Sequence, residues 1–141
     1  LEEKYAIKSN MIDFNEIDKN ILPNESSFLR KKLSLISNID ELSMNDWLDD
    51  EVKEIILKMD IEGAEVDVLM HCVNDLSNVS NLFVEYHSYA NQPQRFNELA
   101  RVLTDAGFRY QIHTQFASKS PLCKRDLQLG MDLQLNVFAY R

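Results

Sequence analysis

Residues Glu54 to Leu69 read EIILKMDIEGAEVDVL, and this stretch decides the fold. Ile55, Ile56, Leu57 and Met59 form a nearly continuous apolar run, the pattern of a parallel strand covered on both faces. The run then breaks into Asp60, Glu62, Gly63 and Glu65 before apolar residues resume at helical spacing with Val66, Leu69, Met70 and Val73. The reading is a strand-to-helix elbow with carboxylates at its tip. In open α/β sheets ligands bind at the carboxyl ends of strands, so Asp60, Glu62 and Glu65 occupy the position where chemistry is expected.

Working forward, Asn81–His87 (NLFVEYH) alternates Leu82, Val84 and Tyr86 against Phe83, Glu85 and His87, which predicts a second strand. The helix of the elbow should end around Asp75 to Ser80, where Asn, Asp and Ser cluster. Strand, helix, strand is a βαβ unit, whose right-handed crossover sets the two strands parallel and about 4.8 Å apart. Asp60 and the Glu85/His87 pair should therefore share one edge of the sheet. A further helix is predicted over Pro93 to Ala106, with Phe96, Leu99, Ala100 and Leu103 as its apolar stripe, Pro93 in its first turn and Gly107 as its C-terminal cap. Phe108–Phe116 and Leu133–Tyr140 alternate as strands with no helix between them, so an antiparallel pair is the simplest arrangement.

Working backward, the signals weaken. Extended pieces around Tyr5–Ile7 and Met11–Phe14 precede a turn-rich break from Pro23 to Ser27. Leu33–Ile39 predicts a short strand, and IDELSMNDWL after it a short helix or pair of turns that packs Trp47. Asp49 and Asp50 lead into the elbow strand.

The 141 residues fit one domain, with residues 1–32 as a lead segment, and the composition is that of an ordinary globular protein. No apolar run is long enough to span a bilayer and the first residues lack signal-peptide character, which predicts a cytoplasmic protein. A formal charge of −8, with no basic tract longer than Arg30-Lys31-Lys32, argues against nucleic acid or anionic membrane as a partner and favours an electroneutral or cationic small molecule. Cys72 and Cys123 fit no metal-ligand spacing and are expected as reduced thiols. The three glycines, Gly63, Gly107 and Gly130, are scattered, so no clustered loop that would cradle a nucleotide phosphate is visible.

Leu57-Lys58-Met59-Asp60-Ile61-Glu62-Gly63-Ala64-Glu65, followed by Val68-Leu69, resembles the K-x-D-x-E-G-x-E…L signature of the FkbM-type methyltransferases. Further matches fall in order: IDELSMNDWL resembles the segment preceding the signature strand, Phe83–His87 the next strand, and Leu103–Phe108 an L-x-x-x-G-[FY] helix end. The resemblance covers roughly residues 33 to 141. It implies an α/β fold, a partial Rossmann-like class I methyltransferase sheet of parallel strands closed by a C-terminal antiparallel hairpin. It also implies an S-adenosylmethionine-dependent O-methyltransferase acting on a small-molecule hydroxyl. Nothing before Leu33 resembles the family's glycine-rich cofactor strand, so the expectation is a C-terminal part of such an enzyme, truncated and inactive alone. The alternative is a non-catalytic interaction or scaffold domain that keeps part of the fold.

Within that resemblance Asp60 is expected beside the transferring methyl group, and Asp60, Glu62 and Gly63 as the cofactor-binding residues. An acceptor hydroxyl must lose its proton near the transition state, and His87 is the candidate base, with Glu85 on the same strand face able to orient it. The bland alternatives are a turn-forming Asp60, helix-capping roles for Glu62 and Glu65, and a polar His87 at a loop start. Lys58, inside a buried strand, should pair with Asp60 or Glu85 or snorkel past an edge. His71 and His113 read as structural. Asp60, Glu62 and His87 as metal ligands rank third, and no metal is expected. Without the family's first strands, Ile55–Met59 would be an open sheet edge, which predicts a homo-oligomer or coverage by residues 1 to 32.

Overall fold

The computed structural model describes residues 9–13, 15, 26–48 and 54–141. The chain divides into two compact units, residues 1–47 and 48–141. In the first, β1 (Asn10–Asp13) pairs in parallel with β2 (Ser27–Arg30), and β3 (Lys32–Ser34) in parallel with β4 (Glu41–Ser43). The strand expected from Leu33 to Ile39 is confined to β3, because Asn38 folds the chain back: its side-chain oxygen accepts the N–H groups of Asp40 and Glu41, both at 2.9 Å. The IDELSMNDWL segment resolves into β4 and the single-turn helix α1 (Met44–Trp47). Ser43 caps α1. Its hydroxyl accepts the Asp46 N–H at 3.2 Å and donates to the Asp46 carboxylate at 2.9 Å. Hydrogen bonds from Ser37 and Ser43 hold the Asp46 carboxyl below its usual value. The pieces expected at Tyr5–Ile7, at Phe14, at Pro23–Glu25 and at Asp49–Asp50 lie outside the described residues.

The second unit is a mixed α/β sheet of four strands in the order β5-β6-β8-β7. Here β5 is Ile55–Met59, β6 Val79–Tyr89, β7 Arg109–Ala117 and β8 Met131–Tyr140. The elbow strand β5 runs parallel to β6, with Met59 beside Val84, as the βαβ reading requires. The terminal pair β7 and β8 is antiparallel, and β8 also lies antiparallel beside β6, so it separates β6 from β7.

Two helices cover one face. Helix α2 (Glu65–His71) ends earlier than its apolar pattern suggests and passes through Cys72 into a 3-10 turn, Val73–Asn78. Its inward residues are Val66, Val68, Leu69 and, beyond it, Cys72 and Leu76, whereas Met70 faces outward. Burial pushes the Cys72 thiol up to about 11, so it is inert as a nucleophile. Helix α3 (Phe96–Asp105) begins three residues after Pro93; the Arg95 N–H donates to the Tyr86 hydroxyl at 2.8 Å, and the Arg95 carbonyl accepts the first helical bonds, from Glu98 and Leu99. Leu99, Val102 and Leu103 form its buried stripe, and Gly107, with φ of +84°, follows its end as expected. Arg95 ties the two helices together through Asp67 at 2.7 Å and Glu98 at 2.8 Å.

Most of the buried apolar strand residues share one face by register: Leu57, Met59, Leu82, Val84, Tyr86, Leu135, Val137 and Ala139. The opposite face carries Ile56, Lys58, Phe83 and Phe138. The expectation that β5 is covered on both faces does not hold among the described residues: Ile56 is 67% exposed and the Lys58 side chain 62%. An apolar run reports hydrophobicity, and hydrophobicity alone does not reveal whether a second layer is there to cover it. Among the described residues β5 has one neighbour in its sheet, β6. No helix of the described residues is long and apolar enough to cross a membrane.

The burial pattern makes a test. Leu103 is fully buried and Leu122 is 100% exposed. Leu103→Ala should cost about 2–5 kcal/mol of unfolding free energy in urea titrations, while Leu122→Ala should stay within roughly 0.5 kcal/mol of the parent. Equal losses at both positions would contradict this core.

Candidate functional site

The site is built where β5 and β6 reach their carboxyl ends. After Met59 the chain turns sharply, with Glu62 at φ +54° and Gly63 at φ +101°. The second value is one that a glycine adopts at little cost. Space enforces it as well, since a Cβ on Gly63 would lie 2.8 Å from Cε2 of the Tyr89 ring, where β6 ends. The elbow therefore passes against Tyr89 with room for a bare backbone alone.

Glu65, the first residue of α2, is 1% exposed at its side chain. Its Oε1 accepts the backbone N–H of Gly63 at 2.9 Å and of Ile61 at 3.2 Å, and lies 2.8 Å from Nδ1 of His87. Its Oε2 is buried without a partner among the described residues. His87 is 2% exposed at its side chain. Its Nε2 lies 3.9 Å from Asp60 Oδ1 and 3.9 Å from Glu62 Oε2, the first 33% and the second 75% exposed at the side chain. The side-chain amide nitrogen of Gln134, on β8 directly opposite His87, lies 3.3 Å from Nε2 and donates to Glu85 Oε2 at 3.2 Å.

All of the site residues expected from sequence, Asp60, Glu62, Gly63, Glu85 and His87, come together at this rim. Lys58 pairs with both partners expected for it, Asp60 at 3.2 Å and Glu85 at 3.9 Å. The side chain of Glu85 reaches His87 through Gln134, and the carboxylate bonded directly to the imidazole is Glu65. His71 and His113 lie exposed and away from the cluster; His113 packs edge-on against Phe138 at 5.3 Å. Glu65 was expected at this acidic tip, but as a helix-capping residue rather than as the partner of His87; Gln134 and Tyr89 were not expected at the site. Gln134 sits in the last strand, and only the β6–β8 register, which no local pattern encodes, brings it opposite His87.

Charge dominates the electrostatics. Asp60, Glu62, Glu65 and Glu85 converge with Lys58 as their nearby ammonium. The hydrogen bond to Glu65 raises the His87 pKa above the ordinary imidazole value against the opposing effect of burial, and the charges of Glu65, Glu62 and Asp60 add to the rise. Burial, then Glu62 and Glu65, raise the Tyr89 phenol. Asp60, Glu85 and His87 each offer one ligand atom, all within 4.8 Å of one another, a spacing compact enough to surround a cation. Lys58 lies beside two of the three, 3.2 Å from Asp60 and 3.9 Å from Glu85. Chemically, the site presents a buried imidazole whose outer nitrogen meets anionic, partly solvated side chains.

Residues 2–110 match the sequence profile described as the Methyltransferase FkbM domain. The chain belongs to that family of methyltransferases. The match starts well before Leu33, so the lead segment is part of the family domain, and β8 with most of β7 falls beyond its end. Neither a search of curated proteins nor one of solved structures returns a match.

The elbow geometry is testable. Gly63→Ala would place a side chain at φ +101° and against Tyr89, and should cost roughly 1–3 kcal/mol. Gly63→Ala combined with Tyr89→Ala should recover the steric part of that loss and leave the backbone part. Urea unfolding of the three variants reads it; no loss in Gly63→Ala would contradict the tight passage.

Proposed function

We propose that this chain supplies the methyl-donor and acceptor side of an S-adenosylmethionine-dependent O-methyltransferase, in a Rossmann-like class I sheet, acting on a hydroxyl of a small molecule. The observation that carries the reading is the placement of His87: a buried imidazole, bonded at Nδ1 to a carboxylate, with Nε2 turned toward Asp60 and Glu62 at the carboxyl rim of a parallel pair.

S-adenosylmethionine, when bound, supplies a methyl group on a sulfonium, which passes to the acceptor oxygen as the C–S bond breaks and the C–O bond forms, leaving a neutral thioether. The residues present suit the cationic end of that molecule, because Asp60, Glu62, Glu65 and Glu85 leave the rim with an excess of negative charge over Lys58. Asp60, Glu62 and the Gly63 backbone would line it. They do not suit its nucleotide end, since the three glycines are isolated and form no cradle. That portion is expected to be held by residues other than the described ones.

His87 takes the acceptor proton. The Gln134 amide marks where a donor must sit to meet Nε2, and an acceptor hydroxyl displacing it would donate to the same lone pair at hydrogen-bond distance. Asp60 and Glu62 face the imidazolium that results and offset its charge. Because the pKa of His87 is raised, it is a stronger base than free imidazole, and turnover should rise with pH through a value above the usual ~6.5. The proposed homo-oligomer also belongs here: a second copy adding a strand at the edge of β5 that has no neighbour among the described residues would satisfy the outward N–H and C=O groups there.

The scattered glycines favour one competing reading, a scaffold domain without catalysis. Calorimetry with S-adenosylmethionine on the protein carrying this chain separates the two. The enzyme reading expects binding at micromolar to millimolar concentration, and methyl transfer reduced roughly 100-fold or more by His87→Ala and also reduced by Asp60→Asn. Absence of cofactor binding across that range would leave the scaffold reading standing.

A further inference from the structure

The oxygen that closes the elbow is also the oxygen that holds the imidazole. Glu65 Oε1 accepts from the Ile61 and Gly63 N–H groups and lies 2.8 Å from His87 Nδ1, and a carboxyl oxygen already holding two N–H groups meets a third nitrogen as an acceptor. The nitrogen facing it, Nδ1, must therefore carry the hydrogen. At the other end of the ring the Gln134 amide nitrogen, already donating to Glu85, faces Nε2. An NH2 group is a donor, so Nε2 is the acceptor. Two partners from different elements, the start of α2 and the middle of β8, specify the same tautomer independently.

We infer that Glu65 is the positioning residue of this site, fixing His87 as the Nδ1–H tautomer so that its Nε2 lone pair faces the rim, and locking that orientation to the shape of the Ile61–Gly63 turn. The inference rests on the reading of His87 as the base, and it deepens that reading by assigning the group that makes His87 fit for the task. Glu85, the orienting residue expected from strand periodicity, acts one step removed, through Gln134.

The physical consequence is a coupling between turn and base. A neutral imidazole donates one ordinary hydrogen bond to Glu65; once Nε2 gains the acceptor proton, the same contact becomes charge-assisted and stronger. Glu65 Oε2, which no partner among the described residues neutralises, leaves that carboxylate charge available to the imidazolium. The other groups facing His87 are Asp60 and Glu62 from the elbow, Glu85 and Tyr89 from its own strand, Lys58 from β5 by way of Asp60 and Glu85, and Gln134 from β8. Asp60 and Glu62 lie at 3.9 Å and are partly solvated, and Lys58 opposes them, so their pull is weaker than that of a buried carboxylate at 2.8 Å.

The test is a pH titration of the imidazole nitrogens of the full chain by 15N NMR, with His87 assigned by comparison with His87→Gln. The expected result is the Nδ1–H tautomer with a pKa above the ordinary value. In Glu65→Gln, whose amide oxygen can still accept from Nδ1 and from the turn, the pKa should fall by roughly one unit or more while the tautomer is kept. In the transferase assay the rising limb of the pH profile should move to lower pH by the same amount, with kcat reduced and KM little changed. A purely structural Glu65 would lower stability and leave the limb in place. An Nε2–H tautomer in the parent chain, or a His87 pKa that Glu65→Gln does not move, overturns the inference. Should Glu65→Gln fail to fold, the tautomer and pKa of the parent chain decide alone. If His87 titrates as expected while His87→Ala leaves methyl transfer intact, the reading of His87 as base fails and the assignment of Glu65 as the residue that fixes the imidazole stands.

Discussion

One buried carboxylate oxygen, Glu65 Oε1, holds three N–H groups at once, and the rest of the site depends on it. Burying an ionised carboxylate carries a large desolvation penalty unless hydrogen bonds and a charge partner offset it. Here two backbone donors from the elbow and one imidazole supply that compensation. The requirement runs in both directions. Glu65 can be buried only if the chain turns tightly enough for the Ile61 and Gly63 amides to converge, which forces positive φ at Glu62 and Gly63. The turn in turn brings Gly63 so close to Tyr89 that no side chain fits. Sequence order within a dozen residues, the identity of one glycine and the depth of one histidine are thus a single structural fact.

Much of this was legible in the sequence. The apolar run ending at Met59, followed by acids and a glycine, specified a strand-to-helix elbow, and the alternation in Asn81–His87 placed Glu85 and His87 on one face of a parallel neighbour. Those two local patterns suffice to bring Asp60 and His87 to the same rim. Glu65 was harder, because an acidic residue at a helix start already has a local explanation in the helix dipole. Its real partner lies 22 residues further on, in a contact that periodicity does not encode. Gln134 is harder still, since its place opposite His87 follows from β8 inserting between β6 and β7. One helix end also shifted, and for a tertiary reason: the chain after His71 tightens into a 3-10 turn that buries Leu76.

The same comparison explains why membership in the methyltransferase family does not by itself describe the chemistry. The family profile ends at residue 110, whereas the ring nitrogen of His87 meets a residue of β8. What the described residues contain is a charged, partly buried rim in which an imidazole meets several carboxylates, beside a sheet whose second face carries exposed Ile56 and Phe138. What they lack is the backbone cradle that a nucleotide needs. The positions of Asp60 and Glu62 follow from the elbow, and that of His87 from the end of the parallel strand β6 beside it.

The most direct measurement of the central claim is a double-mutant cycle on Glu65→Gln and His87→Gln by urea unfolding, at pH 6 and again at pH 9. Because the folded His87 pKa is raised, the stabilisation from the charged pair is fully present below the ordinary imidazole value of ~6.5 and is lost as pH rises through the raised one. The account predicts a coupling of about 1.5–3 kcal/mol at pH 6 and a smaller one at pH 9. Single-mutant losses that add to within roughly 0.3–0.5 kcal/mol at pH 6 would contradict it.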